Sequence, residues 1–291
     1  MTLRIENAID LHCHFGPDHI GGTLAATPYP FGVTAIEAAR EAAANGHAAL
    51  VLKSHSFASP QIAHNVETLV EGLQCFGGVC TDYPSGGLQA GPVQSALALG
   101  AKIVWLPTIN SREDHKGNRP NRSGPGIGVI DESGEPLPVV HEIFDMVREK
   151  DAILATGHIT AEEHYAIARA FARQGKVLVT HAGEHLAGPR LSADQCRELA
   201  DLGATIEFTA LCCQTVRGIT GKSPKEMARY IHHVGCARCT LGTDYGWSDA
   251  VPRPAPGLRD FLEQLWKEGI SESDLQRMVS ENPASLLSLH P

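Results

Sequence analysis

Two histidines, His12 and His14 in the run Ala8-Ile9-Asp10-Leu11-His12-Cys13-His14, are the first residues of this chain whose types and spacing suit chemistry. On a strand, alternate side chains share a face, so both imidazoles project together while Cys13 points away. Two neutral imidazoles side by side are half of a transition-metal site. Compatible ligands recur at the ends of later apolar runs: His158 in Ala155-Thr156-Gly157-His158, His181 in Val179-Thr180-His181-Ala182-Gly183, and Asp244 in Leu241-Gly242-Thr243-Asp244-Tyr245. An ion held by imidazoles and a carboxylate lowers the pKa of its bound water from 15.7 towards roughly 7, making hydroxide available near neutral pH. Asp244 beside that water is placed to take its proton and deliver it to a leaving group. His181 either ligates a second ion or polarises the substrate carbonyl. Asp10, two residues before His12, is expected on the same inward face, orienting a ligand from behind.

Such residues converge only if the elements carrying them do. Apolar runs at 8–12, 48–52, 76–81, 102–106, 152–156, 177–180, 204–208 and 240–243 alternate with helical stretches. Several lack polar alternation, as expected of strands buried on both faces of a parallel sheet. Thr34-x-x-Glu37, Thr160-x-x-Glu163 and Ser192-x-x-Gln195 read as capping boxes, and Ser59-Pro60 and Ser223-Pro224 as N-caps followed by proline at the first helical position. Eight strands alternating with helices give a closed (β/α)8 TIM barrel or an open doubly wound sheet. The open sheet calls for a Gly-rich turn after the first strand. Here that turn holds two histidines, which favours the barrel. Closure also makes the first and last strands neighbours, bringing Asp244 beside His12 and His14. The pattern continues without a break, so residues 1–291 are expected to form a single barrel domain.

In such a barrel, catalytic residues sit at the C-terminal ends of the strands, where all five candidates fall. Lys53 and His55, in Val51-Leu52-Lys53-Ser54-His55, share a face of the second strand and reach the same mouth. The longest irregular stretch, at about 108–138 between the fourth strand and its helix, carries Arg112, His115, Lys116, Arg119 and Arg122. It suits a lid over the site, a contact with another subunit of a homo-oligomer, or a solvated loop. Trp105 on the fourth strand reads as a pocket wall. His64, His141, His164, His232, His233 and His290 read as solvated, and Glu207 and Glu184 as either pocket residues or structural partners.

With Asp10-Leu11-His12-Cys13-His14, His158, His181 and Thr243-Asp244-Tyr245 in this order, and Glu281-Asn282-Pro283-Ala284-Ser285-Leu286-Leu287 near the end, the chain resembles the amidohydrolase superfamily. The resemblance implies a distorted (β/α)8 barrel, one or two divalent ions, and usually hydrolysis of a C–N, C–O or P–O bond. The Gly-Thr-Asp-Tyr and His-Ala-Gly runs look closest to its single-metal branch, which also contains non-oxidative decarboxylases and lactonases. Two-metal members usually place a bridging lysine carbamate or glutamate at the fourth strand. Here that strand reads Ile103-Val104-Trp105-Leu106-Pro107-Thr108 and offers no such ligand. Lys53 leaves three readings open: a carbamate bridging two ions, a cation holding a substrate anion, or the partner of a barrel carboxylate.

Composition narrows the classes. Among 291 residues 43% are hydrophobic and 20% charged, which suits a globular enzyme, and a net charge of -9 argues against a nucleic-acid surface. No run is long enough for a membrane span and no secretory segment precedes Ile9, so a cytoplasmic location is expected, with the eight cysteines reduced. The expected function is metal-dependent hydrolysis of an amide, cyclic amide or ester-like bond, lactones included, in a small polar, anionic substrate. Decarboxylation on the same barrel is the alternative, and a non-enzymatic sensor the third. Zinc is the default ion, with manganese, iron or nickel as alternatives.

Overall fold

The computed structural model describes residues 3–18, 32–116 and 124–289. Arg119, Arg122 and His290 lie outside the described residues.

All eight apolar runs are strands. β1 (Ala8–His14), β2 (His47–Lys53), β3 (Gln74–Cys80), β4 (Ile103–Trp105), β5 (Ile153–Ala155), β6 (Lys176–Val179), β7 (Thr205–Thr209) and β8 (Cys239–Gly242) pair side by side in chain order. Every one of these pairings is parallel. The last strand returns to the first: the Asp244 N–H donates to His12 O at 2.8 Å and the His14 N–H to Tyr245 O at 2.8 Å. Eight parallel strands therefore form a nearly closed (β/α)8 barrel.

The helices named here are α1 (Ala35–Ala44), α2 (Pro60–Leu69), α3 (Ala90–Ala98), α4 (Arg112–Lys116), α5 (Pro138–Glu149), α6 (Ala161–Phe171), α7 (Ala193–Asp201), α8 (Pro224–Val234), α9 (Pro254–Lys267), α10 (Glu272–Gln276) and α11 (Asn282–Leu287). Complete capping boxes start α1, α6, α7 and α8. Ser59 differs: its hydroxyl does not cap α2 but donates to Leu52 O at 2.6 Å and accepts the Gly78 N–H at 3.0 Å, tying β2 to β3. Among the described residues, no helix is long and apolar enough to cross a membrane. All eight cysteines are free.

Packing separates two faces of the strands. Ile9, Leu11, Val51, Ile103, Trp105, Ile153 and Leu178 fill the barrel interior, with Leu287 of α11 packed against the same set. Asn282 anchors that last helix by donating to Cys236 O at 2.9 Å and Cys239 O at 2.7 Å. Alternation along β1 is not regular. The β1–β2 register shifts between Asp10 and Cys13, which re-phases the strand. Leu11 packs inside the barrel, and so does the next ring, His12, which lies 6.0 Å from the Trp105 ring. Asp10 consequently does not back a ligand ring. Its carboxylate accepts the His12 N–H at 3.0 Å and the Thr243 N–H at 3.1 Å, clamping β1 to β8 through the main chain.

His164, expected to be solvated, is buried. Its capping box turns that face of α6 towards the barrel with Ile167 and Phe171, and Nδ1 lies 2.9 Å from Thr160 O.

Candidate metal centre

The closing seam carries the chemistry. His12 and His14 end β1 with ring centroids 5.4 Å apart, and Asp244 follows β8. Asp244 Oδ1 lies 3.1 Å from His12 Nε2 and 3.1 Å from His14 Nε2. All three side chains are buried, and their ligating atoms lie within 4.8 Å of one another. His181 and His158 stand across the mouth, with ring centroids 4.7 Å apart, and the His181 ring lies 5.7 Å from that of His12. The five predicted ligands thus fall into a tight triad and a facing pair. His158 is not part of the triad. Both His181 (φ 28°) and Asp244 (φ 58°) adopt positive-φ backbone, sparsely populated by residues with a Cβ.

Anchors behind the rings decide which nitrogen faces the mouth. Glu207 on β7 accepts the His12 Nδ1–H at 2.8 Å and the His181 backbone N–H at 3.0 Å through one oxygen, Oε2. Asp114 on α4 lies 2.8 Å from His158 Nδ1. His55 Nδ1 lies 2.8 Å from the Thr108 hydroxyl, which in turn donates to Asp82. Asp82 also accepts the Thr108 and Asn110 N–H groups, each at 2.9 Å. His55, Cys80 and Asp82 form a second cluster of metal-ligating types, in which the Thr108 hydroxyl bridges His55 and Asp82. Sequence reading named neither Asp114 nor Asp82 and left Glu207 undecided. Glu207 is the structural partner.

The donor set fits a divalent ion. The triad offers two imidazole nitrogens and a carboxylate oxygen aimed at one another, and the buried His181 Nδ1 has no hydrogen-bond partner among the described residues. Burial opposes the charge on His12, yet Asp244 and then Glu207 outweigh it and the opposing Lys53, raising His12 to about 9. Burial lowers His14 to about 4 and His181 to about 3. Burial would raise Asp244, but His12 and the hydrogen bonds from His12 and His14 hold it well below the ordinary carboxylate range. Without an ion, a proton on His12 balances Asp244. An ion must displace that proton, because only the unprotonated ring ligates. Apparent zinc affinity should therefore rise about tenfold per pH unit as pH climbs towards about 9, then level off. Competition with a chromogenic chelator measures this, and a flat profile across that window would contradict it.

The mouth is a pocket lined in part by His14, Lys53, His55, His158, His181, Glu184 and Asp244, with Ile109, Leu211 and Trp247 among its apolar walls. Lys53 pairs in register with His14, and its Nζ lies 2.9 Å from His12 Nε2 and 5.3 Å from the Trp105 ring centroid. Among the described residues no carboxylate lies within ion-pairing distance of it, so the reading of Lys53 as a barrel carboxylate's partner falls. Trp105 and Arg112 are not in the pocket lining. Trp105 is fully buried in the barrel interior below His12, because β4 ends before the chain reaches the mouth. Arg112 is exposed, with its guanidinium against Gly128, because α4 turns Asp114 inward instead.

No curated protein matches the chain by sequence. Among solved structures it is similar to an amidohydrolase from Pseudomonas aeruginosa, at 14% identity over 97% of this chain and 95% of that chain, with a TM-score of 0.63. It is also similar to a mutant PTE-like lactonase from Deinococcus radiodurans, at 16% identity over 99% and 97%, TM-score 0.63. A 2,6-dihydroxybenzoate decarboxylase matches at 12% identity over 98% and 100%, TM-score 0.58. These neighbours belong to the amidohydrolase superfamily, and what the chain shares with them is the fold. A family model described as a family of unknown function, DUF6282, matches residues 7–207, from β1 into β7 and including His12, His14, His158 and His181, and the chain belongs to that family.

Proposed function

We propose that this chain is a metal-dependent hydrolase of amidohydrolase type, working as one barrel unit on an amide, cyclic amide or ester or lactone bond of a small anionic molecule. The convergence of His12, His14 and Asp244 on one point at the barrel seam carries the reading. These three residues would hold one divalent ion, and His158 with His181 would hold a second. Zinc suits imidazole and carboxylate donors, with manganese, iron or nickel as alternatives. A bound ion would supply a water acidic enough to attack near neutral pH.

The chain's own residues do the rest. Asp244 accepts a proton at its carboxylate and returns it to the leaving group. His181, kept neutral by burial, stays available as a ligand or to polarise the substrate carbonyl when it does not bind an ion. Lys53 offers an ammonium to an anionic group of the substrate, beside an apolar wall that includes Ile109, Leu211 and Trp247. Decarboxylation is the second reading. The fold shared with a decarboxylase and the ammonium of Lys53, suited to a carboxylate, favour it.

Elemental analysis of the purified protein, followed by a screen of lactones, cyclic amides and carboxylated substrates, tests both. Turnover should vanish on chelation and return with added zinc. Activity that survives complete metal removal would refute the proposal. Released carbon dioxide without net water consumption selects the second reading.

A further inference from the structure

His12 and His158 are both held at Nδ1 by a carboxylate, but the carboxylates come from different parts of the molecule. Glu207 is part of the barrel wall, whereas Asp114 comes from the long loop after β4. We propose that Asp114 is a positioning residue through which this loop sets the ring of His158, and thereby the affinity of the ion that His158 would hold. The proposal depends on His158 being a ligand, as above.

Asp114 is 2% exposed. Its Oδ2 lies 2.8 Å from His158 Nδ1, and its Oδ1 accepts the Gly188 N–H at 2.9 Å. One carboxylate thus joins the loop after β4, the end of β5 and the loop after β6. Its own placement is built into the loop: the Asp114 N–H donates to Ser111 Oγ at 3.1 Å. The Arg112 N–H donates to Ile127 O, and the Ile127 N–H to Asn110 O, both at 2.8 Å. The Asn110 N–H in turn donates to Asp82 at the end of β3.

The barrel fixes the main chain of His158 without help from Asp114. The His158 N–H donates to Pro107 O at 3.0 Å. Gly157 before it has φ +64°, and a Cβ there would lie 2.2 Å from Leu106 O, so the strand end admits little change. The main chain therefore sets where His158 stands but not how its ring is turned. A carboxylate on Nδ1 does that. It holds the proton on Nδ1, leaves Nε2 with its lone pair for the mouth, and makes Nε2 a stronger donor to a metal. The ring lies 4.7 Å from His181 and 6.2 Å from His55, among the residues lining the pocket. Because the anchor comes from the loop, the ion at His158 should respond to changes in that loop. The ion at His12, His14 and Asp244, braced by the wall, should not.

Zinc titration against a chromogenic chelator, with thermal melting alongside, tests this on the wild type, D114N and H158A. Asparagine keeps the size of Asp114 and an acceptor for Gly188, so the loop contact survives while the charge on Nδ1 is lost. D114N should weaken by about 10- to 100-fold the same zinc ion that H158A weakens. If H158A loses affinity while D114N binds zinc as the wild type does, the proposal is overturned and the metal reading stands. A D114N protein that melts earlier but binds zinc normally overturns it too, since that is a purely structural role. If H158A itself binds zinc as tightly as the wild type, His158 is not a ligand, and both readings of that residue fall.

Discussion

Asp244→Asn should lower turnover by about 10³-fold with a metal still bound, the size expected when a positioned proton acceptor is lost. Asparagine keeps an oxygen between His12 and His14, where Asp244 Oδ1 now lies 3.1 Å from each Nε2, but carries no charge and accepts no proton. A second effect comes with it. The Asp244 carboxylate is the main group raising His12, so in D244N the pH at which zinc affinity levels off should move down from about 9. Steady-state kinetics on the metal-loaded variant, with metal content measured in the same sample, decides the matter. Full turnover in a metal-bound D244N would remove Asp244 from proton transfer.

The largest loss of stability is expected from Glu207→Ala. Glu207 is fully buried and serves two donors with one oxygen, the His12 ring and the His181 main chain. Removing it leaves both without an acceptor in the barrel interior and strips a charge from beside a cationic His12. Breaking a buried pair in this way costs about 3–5 kcal/mol. Urea denaturation measures it, and Glu207→Gln, which keeps an acceptor, should recover part of the loss. A shift below about 1 kcal/mol for the alanine variant would mean that the wall does not depend on this carboxylate.

Much of the scaffold was legible because its signals are local. Buried runs of Val, Ile and Leu mark the strands, a serine or threonine three residues before Glu or Gln marks three helix starts, and Ser223-Pro224 marks a fourth. The position of a histidine or aspartate at the end of such a run is also local, which is why the sequence placed His12, His14, His158, His181 and Asp244 at the strand ends. Anchoring is not local. Glu207 lies 195 residues from His12 and Asp114 lies 44 from His158, and no periodicity reports which ring nitrogen a distant carboxylate will hold. The loop after β4 misled for a related reason. Its basic residues drew attention to Arg112, but α4 is five residues long, too short for a hydrophobic pattern to show which side turns inward. Asp10 was misplaced because a register shift in β1 cannot be read from alternation alone.

The seam between β8 and β1 has a thermodynamic consequence. A cation gripped by His12, His14 and Asp244 would cross-link segments that lie 230 residues apart in the chain, at the one junction of the barrel where the strands meet out of sequence. Loading would then act as a clasp on the whole cylinder, adding about 2.7 kcal/mol when the free ion stands at a hundred times its dissociation constant. The same atoms that ready the site for chemistry would hold the two ends of the sheet together.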